Sequence, residues 1–384
     1  MKLAILTDGV FPFVIGGMQK HSYYLCKFLV QLGVDVTLVH CVTSGKTVDE
    51  DEVREKLGIG EASNFRSICL KFPPAAWYPG HYLKESFLYS SQIYRVLKDE
   101  WNDFDFIYAK GFSAWALIDK KKKGMKFPPI GVKFHGYEMF QPTPSLKIKL
   151  QYQLLRGPVK FNNQHADIVF SYGGKITGLI KSLGIPDKSI VEIPTGIEKE
   201  WLRTEEIAQP QLPRKFLFLG RYERRKGIEE LNNVLQKLPS DLDFHFGFIG
   251  PIPGGKKIKD PRITYHGKIM DQSKLKELMD EADVLVTPSH SEGMPNVIME
   301  GMSRGLAVIA TNVGAVPLQV DRTNGWIISP ANEDELLLAL EEVISCTDET
   351  LLAKQKRSVE KVAEKFTWEM VARDTLEKLY DLTL

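Results

Sequence analysis

The chain has 384 residues, 43% of them hydrophobic and 26% charged, which leaves room for two domains of ordinary size, each with its own core. Lys and Arg number 50 against 49 Asp and Glu, so nucleic acid is excluded as the expected main partner and any basic site has to be local. Neither a fibrous nor a disordered class fits this composition. Cys26, Cys41, Cys69 and Cys346 are scattered, lack metal-ligand spacing and sit mostly in apolar contexts, which predicts buried thiols in a reducing compartment. The opening run Lys2-Leu3-Ala4-Ile5-Leu6 is too short for a signal peptide, and no apolar run reaches the roughly eighteen residues that span a bilayer. A cytoplasmic protein is expected, with peripheral contact at the inner face of the membrane left open.

Short apolar runs alternate with amphipathic stretches, the pattern of parallel sheets flanked by helices. Strands are expected at Leu3–Thr7, Asp35–His40, Ser67–Leu70, Phe106–Tyr108, Ile130–Phe134, Ile168–Phe170 and Val191–Ile193. Helices are expected between them near Met18–Leu32, Tyr82–Lys98, Phe112–Lys121, Ser145–Asn162 and Gly174–Leu183. After a polar linker around Thr195–Arg214, a second series runs through Lys215–Leu219, Asp243–Ile249, Ile263–Tyr265, Val284–Val286, Ala307–Ala310 and Gly325–Ile328. The tail from about Leu351 reads as helix with a break near Phe366-Thr367-Trp368. Two doubly wound α/β halves follow, at residues 1–195 and 196–366. Ligands of such sheets bind outside the carboxyl ends of the strands.

In the first half, Gly16-Gly17 stands at a helix entry, where backbone amides can approach a phosphate. The three spaced glycines of the dinucleotide fingerprint are absent, and His40 ends the second strand where an acid would bind a ribose. His135, after the strand Ile130–Phe134, is placed to meet a sugar hydroxyl or to serve as a turn residue. In the second half, Gly220-Arg221 ends a strand and Lys226-Gly227 precedes a helix, setting two cations where a diphosphate can be held. Arg224 and Arg225 read as a solvated basic turn. Glu292 and Glu300 bracket Gly293-Met294-Pro295-Asn296-Val297, with Pro295 suited to a first helical turn whose amides bind an anion while the carboxylates accept sugar hydroxyls. The pairs Asp103/Asp105 and Asp241/Asp243 precede strands, at the wrong sheet edge for a catalytic metal. No metal site is expected.

Taken together, these residues resemble the family 4 retaining glycosyltransferases of the GT-B fold. The likeness runs from Gly16-Gly17 through His135-Gly136, Gly220-Arg221, Lys226-Gly227, Glu292 to Glu300, Thr311-Asn312-Val313-Gly314 and Asn324-Gly325 to Phe366-Thr367-Trp368. It implies two Rossmann-like domains facing across a deep cleft, an acceptor-binding one (1–195, completed by 367–384) and a donor-binding one (196–366). The terminal helix would cross back to the first domain. It implies no cofactor, a UDP- or GDP-linked sugar as donor, and transfer to a carbohydrate or lipid-linked acceptor. Arg221 and Lys226 would bind the diphosphate, Glu300 the ribose and Glu292 the donor sugar. Gly220, Gly293, Met294, Pro295, Asn296 and Val297 would line sugar and phosphates, Gly16 and Gly17 would close over the phosphate, and His135 would meet the transferred sugar. One departure stands out: Gly314-Ala315-Val316-Pro317-Leu318-Gln319 lacks the family's second glycine and the acid that follows.

The basic run Lys120–Lys126 and the segment Lys147–Lys160, interleaved with leucines, fit an anionic membrane surface or a solvated helix face. A catalytically silent GT-B partner subunit and a GT-B phosphorylase or epimerase are the rival functional readings.

Overall fold

The computed structural model describes residues 1–42, 46–61, 63–75, 77–78, 80–142 and 146–383. Ser145, the expected start of the fifth helix, and the side chains of Leu146 and Lys147 lie outside the described residues. The chain divides into two compact units: Met1–Phe140 with Lys147–Gly196 and Trp368–Leu384, and Gln141–Leu146 with Ile197–Thr367.

The first unit is built on a seven-stranded parallel sheet of β1 (Lys2–Leu6), β2 (Asp35–Cys41), β3 (Phe65–Leu70), β4 (Phe106–Lys110), β5 (Ile130–Lys133), β6 (Ile168–Ser171) and β7 (Ile190–Glu192). The spatial order is 3-2-1-4-5-6-7. Its strands are apolar runs because helices cover both faces, and their side chains alternate between two cores. Ala4, Leu6, Ile107 and Ala109 enter one, and Leu3, Ile5, Phe106 and Tyr108 the other. Register follows, with Leu3 opposite Phe106 and Ile5 opposite Tyr108. The helices up to this point are α1 (Gly17–Gln31), α2 (Glu50–Leu57), α3 (His81–Val96), α4 (Trp115–Lys122), α5 (Leu146–His165) and α6 (Lys175–Ser182). All but α2 match expected helices. That one has only Val53 and Leu57 to bury; it is fixed by the Asp49 side chain accepting from the Glu52 N–H, and by Gly58 in the left-handed conformation at its end.

The second unit holds six parallel strands, β8 (Arg214–Leu219), β9 (Phe244–Ile249), β10 (Ile263–Gly267), β11 (Val284–Thr287), β12 (Ala307–Thr311) and β13 (Gly325–Ile328), in the order 10-9-8-11-12-13. Its helices are α7 (Ile228–Lys237), α8 (Gln272–Asp280), α9 (Asn296–Ser303), α10 (Val316–Gln319), α11 (Glu333–Ser345) and α12 (Asp348–Lys365). The expected break at Phe366–Trp368 separates α12 from α13 (Trp368–Asp381). That last helix belongs to the first unit, where Trp368 is 1% exposed and its ring lies 5.1 Å from His21 and 5.4 Å from Tyr24 on α1. Neighbouring strands on which the order reverses, β1/β4 and β8/β11, leave a crevice at their carboxyl ends where ligands of open α/β sheets bind.

All four cysteines are free thiols; Cys26 and Cys41 are buried, whereas Cys69 and Cys346 are half-buried, at variance with the expectation for those two. His40 is fully buried on β2, its Nε2 3.0 Å from the Ser67 hydroxyl, and burial pulls its pKa down to about 4. The unfolded chain takes that proton near pH 6.5 and the fold only near pH 4, so this stability is intact above 6.5 and lost as pH falls between the two. We expect His40 alone to cost about 3 kcal/mol across that window, and His40→Asn to flatten the corresponding part of a calorimetric stability-versus-pH curve.

Candidate active site

β8 ends at Leu219, and the chain passes through Gly220 and Arg221 into a 3-10 turn, Arg224–Lys226, before α7. Gly227 joins turn and helix at φ 67°, and a Cβ there would sit 1.9 Å from the carbonyl oxygen of Pro288, in the loop that leaves β11. Only glycine lets the two loops meet so closely. Across that contact Lys226 Nζ lies 2.6 Å from Glu292 Oε1. Arg225 Nη1 adds a 3.4 Å contact to Glu292 Oε2 and donates to the Ser291 carbonyl at 3.1 Å. The Glu292 residue is 9% exposed. Burial pushes its carboxyl upward more than any other single influence, yet Lys226 and Arg225 together hold it below the usual carboxylate range.

Glu292 and Gly293 are braced from a second side. Gly314, at φ 53°, brings its loop so near that a Cβ would lie 2.2 Å from the Glu292 carbonyl oxygen. The Ala315 N–H donates to the Gly293 carbonyl at 2.7 Å, and the Gln319 amide to the Pro295 carbonyl at 3.1 Å. The sequence departure at Ala315–Gln319 therefore keeps this segment fastened to the 293–295 loop. Met294 is 6% exposed, and α9 begins at Asn296, so Pro295 precedes the helix instead of occupying its first turn. Its fixed φ, here −71°, suits either place. No side chain caps α9, whose first turn carries Asn296 and Val297. Glu300 follows one turn further along, partly exposed.

Two expectations for the basic run change. Arg225 is not a solvated turn residue but a partner of Glu292. Arg224 reaches Glu230 at 2.5 Å, Glu229 at 3.1 Å and His290 Nε2 at 2.8 Å. Successive side chains of a 3-10 turn fan out by a third of a revolution, so an unbroken charge run in sequence serves several partners in space. Arg221 stands apart from Glu292: its side chain is 72% exposed and pairs with Glu223 at 2.9 Å.

In the first unit the expected residues also gather. Gly16 is extended, Gly17 is exposed and opens α1, and a Cβ on Gly17 would be 3.7 Å from His135 Nε2. His135 hydrogen-bonds the Gly17 backbone, and its Nδ1 lies 2.8 Å from the Tyr172 hydroxyl. Burial, then Lys110 and Lys133, push the imidazole well below its ordinary range, so it is neutral at neutral pH. Sequence reasoning missed the layer beneath it. Lys110 and Lys133 are fully buried, Lys110 Nζ 2.7 Å from His21 Nδ1 and Lys133 donating to the Ile193 carbonyl at 2.7 Å. A lysine closing an apolar strand was the available signal.

Asp105 accepts from the Lys2 N–H at the amino edge of the first sheet, and Asp243 immediately precedes β9. Among the described residues, no group of three or more His, Cys, Asp or Glu side chains is gathered as a metal requires.

Comparison with known proteins agrees with this architecture. Residues 15–201 match the family model described as Glycosyltransferase Family 4, and residues 213–346 the one described as Glycosyl transferases group 1. An uncharacterized 41.2 kDa protein in the cps region of Klebsiella pneumoniae is 34% identical over 62% of this chain and 68% of its own length. The colanic acid biosynthesis glycosyltransferase WcaL of Salmonella typhimurium, whose role is itself putative in name, is 23% identical over 62% of this chain and 61% of its own. The chain spans about half to three fifths of the length of the first curated relatives it matches. Among solved structures, sucrose-phosphate synthase from Thermosynechococcus elongatus superposes with a TM-score of 0.75 at 19% identity, covering 99% of this chain and 98% of that one. Anabaena HepE, solved with UDP and glucose, gives 0.67 at 16%, covering 99% of each. These likenesses show the fold, GT-B with two Rossmann-like units, and the chain belongs to glycosyltransferase family 4, the glycosyl transferases group 1 proteins.

Proposed function

We propose that the protein is a retaining, metal-independent glycosyltransferase that moves a hexose or N-acetylhexosamine from a nucleoside diphosphate sugar to an acceptor hydroxyl, in glycan, cell-surface polysaccharide or glycolipid synthesis. The observation that carries this reading is the junction at the β8/β11 switch point, where Lys226 and Arg225 meet Glu292 beside the uncapped start of α9. In this reading the second unit holds the donor. Arg221 and Lys226 take the diphosphate, α9's first amides and the backbone of Gly293–Val297 line sugar and phosphate, Glu300 accepts ribose hydroxyls and Glu292 those of the sugar. The first unit supplies Gly16, Gly17 and His135 and receives the acceptor. The family membership, the names of WcaL and the UDP and glucose bound to HepE support the donor class.

The chemistry asked of the site is electrostatic. As the anomeric carbon leaves the phosphate oxygen, negative charge grows on the diphosphate, and fixed cations lower the energy of that state. Arg221 is suited to move onto it, because an exposed pair such as that with Glu223 is worth only about 0–1 kcal/mol. Lys226 is shared between diphosphate and Glu292. The acceptor oxygen bonds to the anomeric carbon on the face the phosphate leaves, and its proton passes to the leaving phosphate oxygen. His135, neutral, donates or accepts a hydrogen bond at the transferred sugar without carrying charge.

Membrane contact belongs to the same proposal and rests on α5, which exposes Leu150 (73%) and Leu154 (48%). The Lys120–Lys126 run is less available, since Lys121 pairs with Asp167 and Lys123 with Asp119. No described helix is long and apolar enough to cross a membrane.

Titration calorimetry with UDP, GDP and ADP in EDTA should show selective binding, weakened about tenfold to a hundredfold by Arg221→Ala or Lys226→Ala, each removing a charged hydrogen-bond donor. Only Lys226→Ala should also lower the melting temperature, because it leaves Glu292 buried with a single, longer cation contact. Full donor turnover by the double substitution would remove both from the diphosphate. Glu300→Gln should weaken free nucleotide as much as nucleotide sugar; a loss confined to the sugar would move that acid away from the ribose.

A further inference from the structure

The switch-point rule that locates the donor crevice between β8 and β11 applies equally to the first sheet, where the order turns between β1 and β4. The residue leaving β1 there is Asp8, and the one ending β4 is Lys110. Asp8 is held by its surroundings on both sides. The Thr7 hydroxyl donates to the Gly9 carbonyl at 2.9 Å, the Tyr89 hydroxyl to the Thr7 carbonyl at 2.8 Å, and the Cys41 thiol to Asp8's own carbonyl at 3.0 Å. Asp8 is half-buried, and its carboxylate is touched by the Gln19 amide at 3.3 Å from α1 and by the Tyr82 hydroxyl from α3. The Tyr82 residue is 41% exposed although its hydroxyl is engaged, so part of the ring faces solvent.

A carboxylate, an amide and an open aromatic ring gathered in one crevice suit a sugar: the polar groups take hydroxyls and the ring takes the apolar C–H face. We propose that Asp8, with Gln19 and Tyr82, forms a subsite of the first unit that binds a hydroxyl of the carbohydrate acceptor and orients it for transfer. This rests on the transferase reading above and adds to it an acceptor contact.

The charged and titratable groups facing Asp8 are Lys110 from β4, Tyr82 and Tyr89 from α3 and Cys41 from β2, with the uncharged Gln19 from α1. Burial pushes the carboxyl up to about 6, against the smaller opposing pull of its own backbone amide, Gln19, Lys110 and Tyr82. The folded protein thus holds this proton more tightly than the unfolded chain. The contribution to stability is present at low pH and is lost as pH rises through about 4 to 6, so at neutral pH the ionised side chain works against folding. A group kept ionised at such a cost is a feature of sites.

The test compares wild type with Asp8→Asn, using the nucleotide sugar selected by calorimetry and a panel of octyl hexopyranosides as acceptors. In wild type the acceptor KM should rise roughly tenfold from pH 7 to pH 5 as the carboxylate takes its proton. Asp8→Asn should raise that KM about tenfold at pH 7.5 and flatten its acid limb, leave nucleotide affinity unchanged, and raise the melting temperature at pH 7.5. An unchanged acceptor KM and pH profile, an unchanged melting temperature, or a parallel loss of nucleotide binding would each overturn the assignment. The underlying transferase reading is judged separately, on whether wild type binds any nucleotide.

Discussion

A buried carboxylate has to be answered by cations, and the tie between Lys226, Arg225 and Glu292 is the constraint on which the second unit's carboxyl edge depends. It couples two loops that belong to different strands, alongside the contacts of Arg224 with His290 and of Arg225 with the Ser291 carbonyl. The backbone must permit the approach, which is why Gly227 sits against Pro288 and Gly314 against Glu292. Once those contacts exist, α9 starts where an anion would meet its first amides, and the helix after β8 starts beside two guanidinium groups. Geometry and charge arise from the same few residues.

The first unit solves a different problem with the opposite sign. Lys110, Lys133, His21 and His135 crowd one region in which burial pushes every base toward its neutral form. Asp8 is driven toward neutrality from the acid side. Such a region responds strongly to any charge brought to it, because the low dielectric that neutralises the groups also magnifies their interaction with a ligand.

Most strands were legible because a parallel sheet covered on both faces needs continuous apolar runs, and the chain has them at β1, β4, β11 and β12. What escaped had no such signature. α2 carries two buried side chains in eight residues, so its caps, Asp49 and Gly58, were the only strong signal. Arg225 was hidden in a run of charges that a single 3-10 turn distributes among separate partners. Lys110 and Lys133 drew no reading in sequence, since pattern reports the usual fate of a charged residue and not its exceptional burial. The glycines, acids and cations of the second unit were read as a group in sequence, while which cation meets which acid required the fold.

The placement of α13 orders events in time. Trp368 fills the core that contains Leu3, Ile5 and Val36, yet it is made after all of the second unit. On a ribosome, α1 and α2 can cover that side of the sheet early, but the place of Trp368, Val371 and Leu379 would stand open while residues 197–367 emerge and condense, so the unit begun first is completed last. During that interval the exposed flank of α1 is the surface most in need of protection by a chaperone.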